Sequence, residues 1–318
     1  MRRRSTLSMV AATLVLTGLV VAGVVALPGT GQAAGSKMPS HTSSKKVPLF
    51  YLSLGDSYSV GYQPGMGATA GYTAVVAKKE HMTLENFGCG GATTSSVLTA
   101  IGCLESGFGP VAAFDAVPYP STTQEQAALT FIADNPGRVG LITVSIGGND
   151  VTSCANAGNL TAIITCVQTA DGAISTDVGS LVAALDSALS TAGDTTAKVV
   201  GLTYPDVILG DWVFPSGSPN PALATDSVAA FDALINPTLS AAYGASNFVN
   251  VTQAPYKTAT AGVDTPLTTT QKDGPYGVIP SAVAEICKLT YFCALGNIHA
   301  NDKGYKFIGG LIVSHLAA

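Results

Sequence analysis

The chain contains 318 residues, of which 47% are hydrophobic and only 11% are charged, and its formal net charge is −5. This composition excludes a disordered chain and a coiled coil, because the first needs low hydrophobicity with high net charge and the second is rich in charged residues at heptad spacing. Without an excess of basic residues, no nucleic acid partner is expected.

The N-terminal segment has the composition of an export signal. Three arginines at 2–4 precede an apolar run over 7–27, and small residues follow up to Ala34. This order predicts a signal peptide over 1–34 and therefore a secreted protein. An uncleaved segment that anchors the protein in the membrane is the alternative.

The rest of the chain is predicted to form a flexible polar leader over 35–46 and a single domain over 47–318. No later stretch approaches the ~20 apolar residues of a membrane span, so removal of the signal is expected to leave no span. A domain of this length buries a sizeable core.

Six cysteines fall into three close pairs along the chain. In an exported protein an even number of cysteines indicates disulfides, although six allow many connectivities. Metal binding is the alternative, but there is no CxxC pair and no histidine at ligand spacing nearby. No metal is therefore expected, and the absence of phosphate-binding glycine patterns predicts no cofactor. The spacings favour the disulfides Cys89–Cys103, Cys154–Cys166 and Cys287–Cys293.

Short apolar runs alternate with segments of helical spacing through the domain. The runs end at glycine or polar residues, as buried parallel strands do, and apolar residues three or four apart predict helices. Ser121 and Gln124 stand at capping-box spacing, and Pro237 must break or kink its helix. In chain order we predict strand 47–54, helix 71–79, strand 82–87, helix 121–134, strand 139–146, helix 171–192, strand 198–203, helix 222–243, strand 248–252 and helix 301–316, with little periodicity over 253–297.

Strands separated by helices predict one α/β domain with a parallel sheet covered on both faces. Ligands bind such sheets beyond the carboxyl ends of the strands. Ser57 follows the first predicted strand, Gly90 and Gly91 follow the second, and Asn149 follows the third. We therefore expect these residues to meet at one edge of the sheet.

The residue types at this edge suit acyl transfer. A serine hydroxyl becomes a nucleophile when a base takes its proton, and the attacked carbonyl oxygen then needs fixed hydrogen-bond donors. Ser57 is the candidate nucleophile. Its backbone N–H, that of Gly91 and the side-chain amide of Asn149 are the candidate donors of an oxyanion hole. Taken singly, the surrounding glycines are typical of ordinary turns.

Histidine is the expected base, because its side chain titrates near neutral pH. Of the four histidines, His41 lies in the leader, His81 precedes the second strand and His315 lies in the last helix. His299 lies in a loop just before that helix and is, by elimination, the candidate base.

Four sequence blocks carry these residues: LSLGDSYS at 52–59, NFGCGGATT at 86–94, SIGGND at 145–150 and NIHANDKGY at 297–305. In content, order and spacing they resemble the blocks of the SGNH hydrolases, also called GDSL esterases and lipases. The resemblance covers about residues 47–316. It implies a flavodoxin-like three-layer α/β/α sandwich with a central parallel sheet of about five strands.

The resemblance also implies hydrolysis of an acyl ester or lipid by a secreted protein, which we expect to be a monomer. Matched position by position, Ser57 would be the nucleophile and first oxyanion donor, Gly91 and Asn149 the other donors, and His299 the base. The cysteine pairs are similar to those of secreted family members.

Two positions depart from the family pattern. Gly296 stands where an aspartate usually orients the histidine, and Ala300 stands where a proline is usual. We therefore predict a Ser–His dyad in which a backbone carbonyl within 295–297 orients His299, as in some members of the family. Asp302 is a less favoured substitute and is expected to cap the final helix.

The substrate stays open at this point. Besides an esterase or lipase, the same site suits a polysaccharide O-deacetylase, and the missing aspartate leaves a non-catalytic exported binding protein as a third hypothesis. Trp212 and Phe214 either line an acyl pocket or belong to a satellite core. Tyr58 and Tyr62 either border the cleft or pack against the loop that contains Ser57.

Overall fold

A parallel sheet of five strands forms the centre of the domain in the computed structural model: β1 (Phe50–Gly55), β2 (Thr83–Asn86), β3 (Val139–Ser145), β4 (Lys198–Leu202) and β5 (Phe248–Val249). The strand order is β2-β1-β3-β4-β5, and every neighbouring pair is parallel. This is the order of flavodoxin-like folds. The predicted fold class is confirmed.

The described part of the chain belongs to one compact unit within Val47–Ala318. The predicted signal peptide over 1–34 and leader over 35–46 lie outside the described residues. None of the described helices is both long and apolar enough to cross a membrane. The structure describes residues 47–103, 112–158, 160–214, 218–252 and 267–318.

Helices occupy the connections between the strands, and α3 and α4 each begin with a capping box. In chain order the helices are α1 (Ser57–Val60), α2 (Gly71–Glu80), α3 (Thr94–Thr99), α4 (Gln124–Asp134), α5 (Gly148–Thr152), α6 (Leu160–Ala192), α7 (Pro221–Ala230), α8 (Asn236–Tyr243), α9 (Ser281–Leu289), α10 (Phe292–Leu295) and α11 (Asp302–Leu316).

Each face of the sheet has its own apolar core, because successive strand residues point to opposite faces. Leu52 and Ile142 belong to a core shared with α4, α6 and α8. Tyr51 and Leu141 belong to a second core shared with α2 and α11. The sheet is therefore the middle layer of an α/β/α sandwich. Helices cover its two faces, and the carboxyl ends of its strands are available for a site.

The cap of α4 differs from the prediction. Thr123, rather than Ser121, caps the helix, with its hydroxyl accepting from the N–H of Gln126 at 3.1 Å. Gln124 is buried instead: its side-chain oxygen accepts from the N–H of Gly55 at 2.7 Å, and its amide donates to the carbonyl of Gly55 at 3.1 Å. Gln124 thus braces the end of β1.

The helix predicted over 222–243 continues past Pro237. Between α7 and α8 lies a π-helical turn, Phe231–Ile235, and Pro237 occupies the first turn after it. The wider turn changes the hydrogen-bond pattern just before the proline, so the missing N–H does not end the helix.

Regular elements occur within 267–297, the described part of the segment 253–297 in which the sequence shows little periodicity. A two-stranded antiparallel hairpin, β6 (Thr270–Asp273) and β7 (Gly277–Pro280), precedes α9 and α10. Ile286 of α9 is buried in a small satellite core with Leu209. Short elements that pack on a local core leave too few turns for a readable period.

All six cysteines form disulfides, each joining neighbours along the chain. Cys154–Cys166 ties the 3-10 turn after α5 to α6, and Cys287–Cys293 ties α9 to α10. Cys89–Cys103 closes a loop that begins just after β2. Closing such loops restricts the unfolded chain and typically stabilises a protein by ~2–4 kcal/mol for each bond.

Candidate active site

A sharp turn at the end of β1 places Ser57 at the first position of α1. Gly55 has a φ of +134°, and a β-carbon there would overlap the carbonyl oxygen of Ser145 in β3. Only glycine permits this close approach of the two strands. Asp56 caps α1 by accepting from the N–H of Tyr58 at 2.9 Å.

Asp56 is almost fully buried and bonds to groups from distant parts of the chain. Its Oδ2 accepts from the hydroxyl of Tyr204 at 2.6 Å and lies 3.4 Å from Nδ2 of Asn149. Burial raises the pKa of Asp56 to about 7, although the bonds from Tyr204 and from the Tyr58 N–H act in the opposite direction. Asp56 therefore links the segments that follow β1, β3 and β4.

Asn149 lies in the first turn of α5, directly after β3. Its Nδ2 donates to the carbonyl of Ala92 at 2.8 Å, which ties it to the turn after β2. Gly91 lies in that turn with a φ of +81°, a left-handed conformation that favours glycine. The sheet thus brings Ser57, Asn149 and the turn that contains Gly91 to one edge.

His299 lies in the loop between α10 and α11, with Nε2 2.8 Å from Oγ of Ser57. The rings of Tyr62 and Tyr58 face the imidazole at centroid distances of 4.5 and 6.0 Å. Burial lowers the pKa of His299 to about 4, because it disfavours the charged imidazolium. The ring is therefore neutral at pH 7 and able to accept a proton.

The second ring nitrogen of His299 contacts the side chain of Asn297. Nδ1 lies 2.8 Å from Oδ1 of Asn297, and the same oxygen accepts from the backbone N–H of His299 at 3.1 Å. The prediction of a backbone carbonyl within 295–297 is therefore wrong. Asparagine side chains commonly bond to the backbone two residues later, and here that turn also reaches the ring.

Asp302 has a different role from either one considered. Its Oδ1 accepts from Nε2 of Gln63 at 2.9 Å. The cap of α11 is Asn301, whose side-chain oxygen accepts from the N–H groups of Lys303 and Gly304 at 3.0 and 3.1 Å. The prediction that Asp302 caps α11 is wrong, because the capping residue is its neighbour Asn301.

Packing explains why residue 296 is glycine. Gly296 ends α10 with a φ of +65°, in the left-handed region. A β-carbon there would lie 2.6 Å from the ring of Phe214. An aspartate at this position would meet both an unfavourable backbone conformation and an occupied space.

Tyr58 joins the two halves of the site, a role that the sequence does not reveal. Its hydroxyl donates to the carbonyl of Ile298 at 2.6 Å, so the residue after Ser57 holds the loop that contains His299. Burial raises the pKa of Tyr58 well above its usual value, and the hydroxyl stays a donor. The other unpredicted contributors are Gln124, Tyr204 and Asn297. Asn297 lies within the matched block 297–305, whereas Gln124 and Tyr204 lie far from every block and carry no sequence signal for this role.

A cavity of about 390 Å³ opens beside Ser57 and Asn149. Its volume falls in the range of small-molecule sites, roughly 300–1,000 Å³. It lies between α6, the segment that follows β4, and the continuous helix formed by α7, the π-helical turn and α8. Most of its wall is apolar, with side chains that include Ile163, Val167, Val207, Leu223, Leu234 and Leu239.

The two aromatic residues considered for an acyl pocket lie elsewhere. Trp212 packs against the satellite core that contains Leu209 and Ile286, which confirms that interpretation for Trp212. Phe214 packs against Phe292 with ring centroids 5.5 Å apart. The cavity is instead built from aliphatic side chains on helices.

Residues 53–307 match the GDSL-like lipase/acylhydrolase family. Comparison with curated proteins finds no match in sequence. Among solved structures, the chain is similar to a lipase from a goat rumen metagenome, with 17% identity, 84% of this chain and 97% of that chain covered, and a TM-score of 0.49. It is also similar to Axe2, an acetylxylan esterase from Geobacillus stearothermophilus, with 13% identity, coverage of 85% and 94%, and a TM-score of 0.41.

Proposed function

Since the chain belongs to the GDSL-like lipase/acylhydrolase family, we propose that it is a secreted carboxylic ester hydrolase with Ser57 as nucleophile and His299 as base. The observation that carries the proposal is the 2.8 Å contact between Oγ of Ser57 and Nε2 of His299. This is the distance at which a base can take the proton of a nucleophile.

In the proposed reaction, Nε2 of His299 takes the hydroxyl proton while Oγ of Ser57 bonds to the acyl carbon. The electron pair of the carbonyl moves onto its oxygen, which accepts hydrogen bonds from the N–H groups of Ser57 and Gly91 and from the amide of Asn149. The imidazolium then protonates the departing alcohol. Water repeats the sequence on the acyl-enzyme and releases the acid, so the cycle requires no cofactor or metal.

The apolar cavity favours an acyl chain over an acetyl group as the transferred part. Its wall includes Ser57, and an acetyl group would leave most of its volume of about 390 Å³ unfilled. Burial of each methylene is worth ~0.8 kcal/mol, so a cavity of this kind selects longer chains. This supports a lipase or long-chain esterase over the O-deacetylase, and the Ser57–His299 contact argues against a non-catalytic binding protein.

Secretion is supported by the predicted signal peptide over 1–34 and by the three disulfides. Disulfides persist in oxidising compartments outside the cell.

Labelling and mutagenesis test the mechanism. A serine-directed phosphonate should modify Ser57, and His299→Ala should lower kcat for p-nitrophenyl butyrate by ~10³-fold or more. His315→Ala is the matched control, because His315 lies in the last turn of α11, and it should keep full activity. Near-normal turnover by His299→Ala, or absence of labelling, would overturn the proposal.

A series of p-nitrophenyl esters from acetate to laurate tests the acyl cavity. We expect kcat/KM to rise with chain length, and Ala230→Trp, in the cavity wall, to lower laurate turnover by ~10-fold while sparing acetate. Ala222→Trp, exposed on the same helix, is the control. Activity on acetate alone would favour the O-deacetylase.

A further inference from the structure

We propose that Asn297 is the positioning residue of the site and that it sets the tautomer and orientation of His299 in place of a carboxylate. This inference rests on the proposed function. Its basis is a single oxygen atom, Oδ1 of Asn297, which lies 2.8 Å from Nδ1 of His299 and 3.1 Å from the backbone nitrogen of the same residue.

The backbone contact identifies which atom of the amide faces the ring. A backbone N–H can only donate, so the side-chain atom of Asn297 that it meets must be the carbonyl oxygen and not the NH₂ group. That oxygen is an acceptor, so Nδ1 of His299 must carry a hydrogen to bond with it. The hydrogen bonds alone therefore assign the neutral tautomer protonated at Nδ1.

This tautomer is the one that general-base catalysis requires. With the hydrogen on Nδ1, the lone pair of Nε2 is directed toward Oγ of Ser57, 2.8 Å away. Without the acceptor, the ring is free to rotate and to place its hydrogen on Nε2, where it cannot take the serine proton. Asn297 does not line the cavity beside Ser57, so its effect passes through the imidazole.

Among the described residues, the side chains that bond to or pack on the ring of His299 are those of Asn297, Ser57, Tyr58 and Tyr62, and none of them is a carboxylate. The phenol rings of Tyr58 and Tyr62 face the imidazole from α1 and the turn after it. The carboxylates that flank Ser57 and His299 in the sequence bond to other groups: Asp302 to Gln63, and Asp56 to Tyr204. None of these described contacts supplies the negative charge of a carboxylate, so burial prevails, the pKa of His299 is lowered, and His299 remains a free base in mildly acidic solution.

The isosteric change Asn297→Asp tests this difference. A carboxylate in the same place accepts both bonds and adds a negative charge, so the acidic limb of the kcat/KM profile should move up by about 1–2 pH units. Asn301→Asp introduces the same charge two residues after His299, at the cap of α11, and should move the limb much less. An unchanged limb in Asn297→Asp would overturn the inference.

Removing the acceptor tests positioning itself. Asn297→Ala should lower kcat by ~10²-fold with little change in KM, while Asn297→Asp should restore most of the activity near pH 8. Thermal unfolding of each variant shows whether it is folded. Normal kcat in Asn297→Ala would refute the inference, and if His299→Ala were inactive at the same time, the proposed function would stand without it.

Discussion

The two halves of the site are held in different ways. On the nucleophile side, Ser57, Asn149 and the Gly91 turn follow three neighbouring strands. Asn149 joins them, because its side-chain amide contacts buried Asp56 and donates to the carbonyl of Ala92. On the base side, His299 lies in a loop beyond the sheet. The hydroxyl of Tyr58 bonds the carbonyl of Ile298 in that loop at 2.6 Å, and a backbone bond from Tyr291 reaches the carbonyl of His299 at 3.0 Å.

This difference predicts that mutations in the two halves will affect turnover and stability to different extents. Residues of the nucleophile side are part of the sheet edge, so their loss should affect folding and turnover together. The base side depends on a few hydrogen bonds between a loop and its neighbours. Its variants should lose turnover with a smaller loss of stability.

After the loss of His299 itself, the largest effect in this comparison is expected from Asn149→Ala on the nucleophile side. Loss of one oxyanion donor costs ~3–4 kcal/mol of transition-state stabilisation, so kcat should fall by ~10²–10³-fold. The melting temperature should also fall, because the bond from Asn149 to the carbonyl of Ala92 is lost. Asn220→Ala, at the exposed cap of α7, should leave kcat unchanged. A loss of less than about threefold in Asn149→Ala would remove this residue from the oxyanion hole.

Gly296→Asp places the family's usual carboxylate on the base side. We expect a loss of ~1–2 kcal/mol in the free energy of unfolding, since residue 296 is left-handed and faces Phe214, and no gain in kcat. Gly296→Ala should show a similar loss, because the cause is the β-carbon and not the charge. Urea unfolding measures both variants. Increased turnover in Gly296→Asp would show that the loop accepts a carboxylate there.

Tyr58→Phe separates the two halves by removing their direct link. We expect a fall in kcat of ~10-fold, because the loop that carries His299 loses its anchor, and a stability loss of ~1 kcal/mol. Tyr51→Phe is the matched control: its hydroxyl bonds Thr143 at 2.7 Å inside the sheet, so it should lose similar stability but keep kcat. Equal kcat in both variants would contradict the anchoring role.

The smallest effects concern the pH dependence of stability. As pH rises, the buried acid of the nucleophile side and the histidine of the base side should change the stability in opposite directions. Burial raises the pKa of Asp56 to about 7, so the folded state binds the extra proton and stability falls as pH rises from about 4 to 7. Burial lowers the pKa of His299 to about 4, so that residue makes stability rise between about pH 4 and 6.5.

Urea unfolding at pH 4.5 and 7 measures these opposing contributions. Asp56→Asn should reduce the decline toward pH 7, and His299→Ala should make it steeper. Asp206→Asn provides a control away from the reacting groups. Burial raises the pKa of Asp206 to about 7 as well, so this variant should act like Asp56→Asn on stability. Changes of the same sign in Asp56→Asn and His299→Ala would refute this assignment.

Local pattern predicted the strands but placed the cap of α4 two residues too early. Ser121 with Gln124 and Thr123 with Gln126 both have capping-box spacing. The structure uses the second pair, because Gln124 is needed at the backbone of Gly55, 69 residues away. The spacing of residues along the chain cannot predict a helix cap whose choice depends on a hydrogen bond to a residue far away in the sequence.

The sequence by itself determined the parallel α/β fold and the candidates Ser57, Gly91, Asn149 and His299. For the first three it could do so because residues that directly follow apolar runs lie at one edge of a parallel sheet, whereas His299 was found by elimination and by the resemblance of its block. Only the tertiary structure decided that Nδ1 of His299 lies against the side-chain oxygen of Asn297 and that an aliphatic cavity opens beside the serine. The choice of acceptor depends on how the loop turns, and contacts with Phe214 and Tyr58 from other segments of the chain constrain that turn. The cavity likewise exists only where helices far apart in sequence pack together.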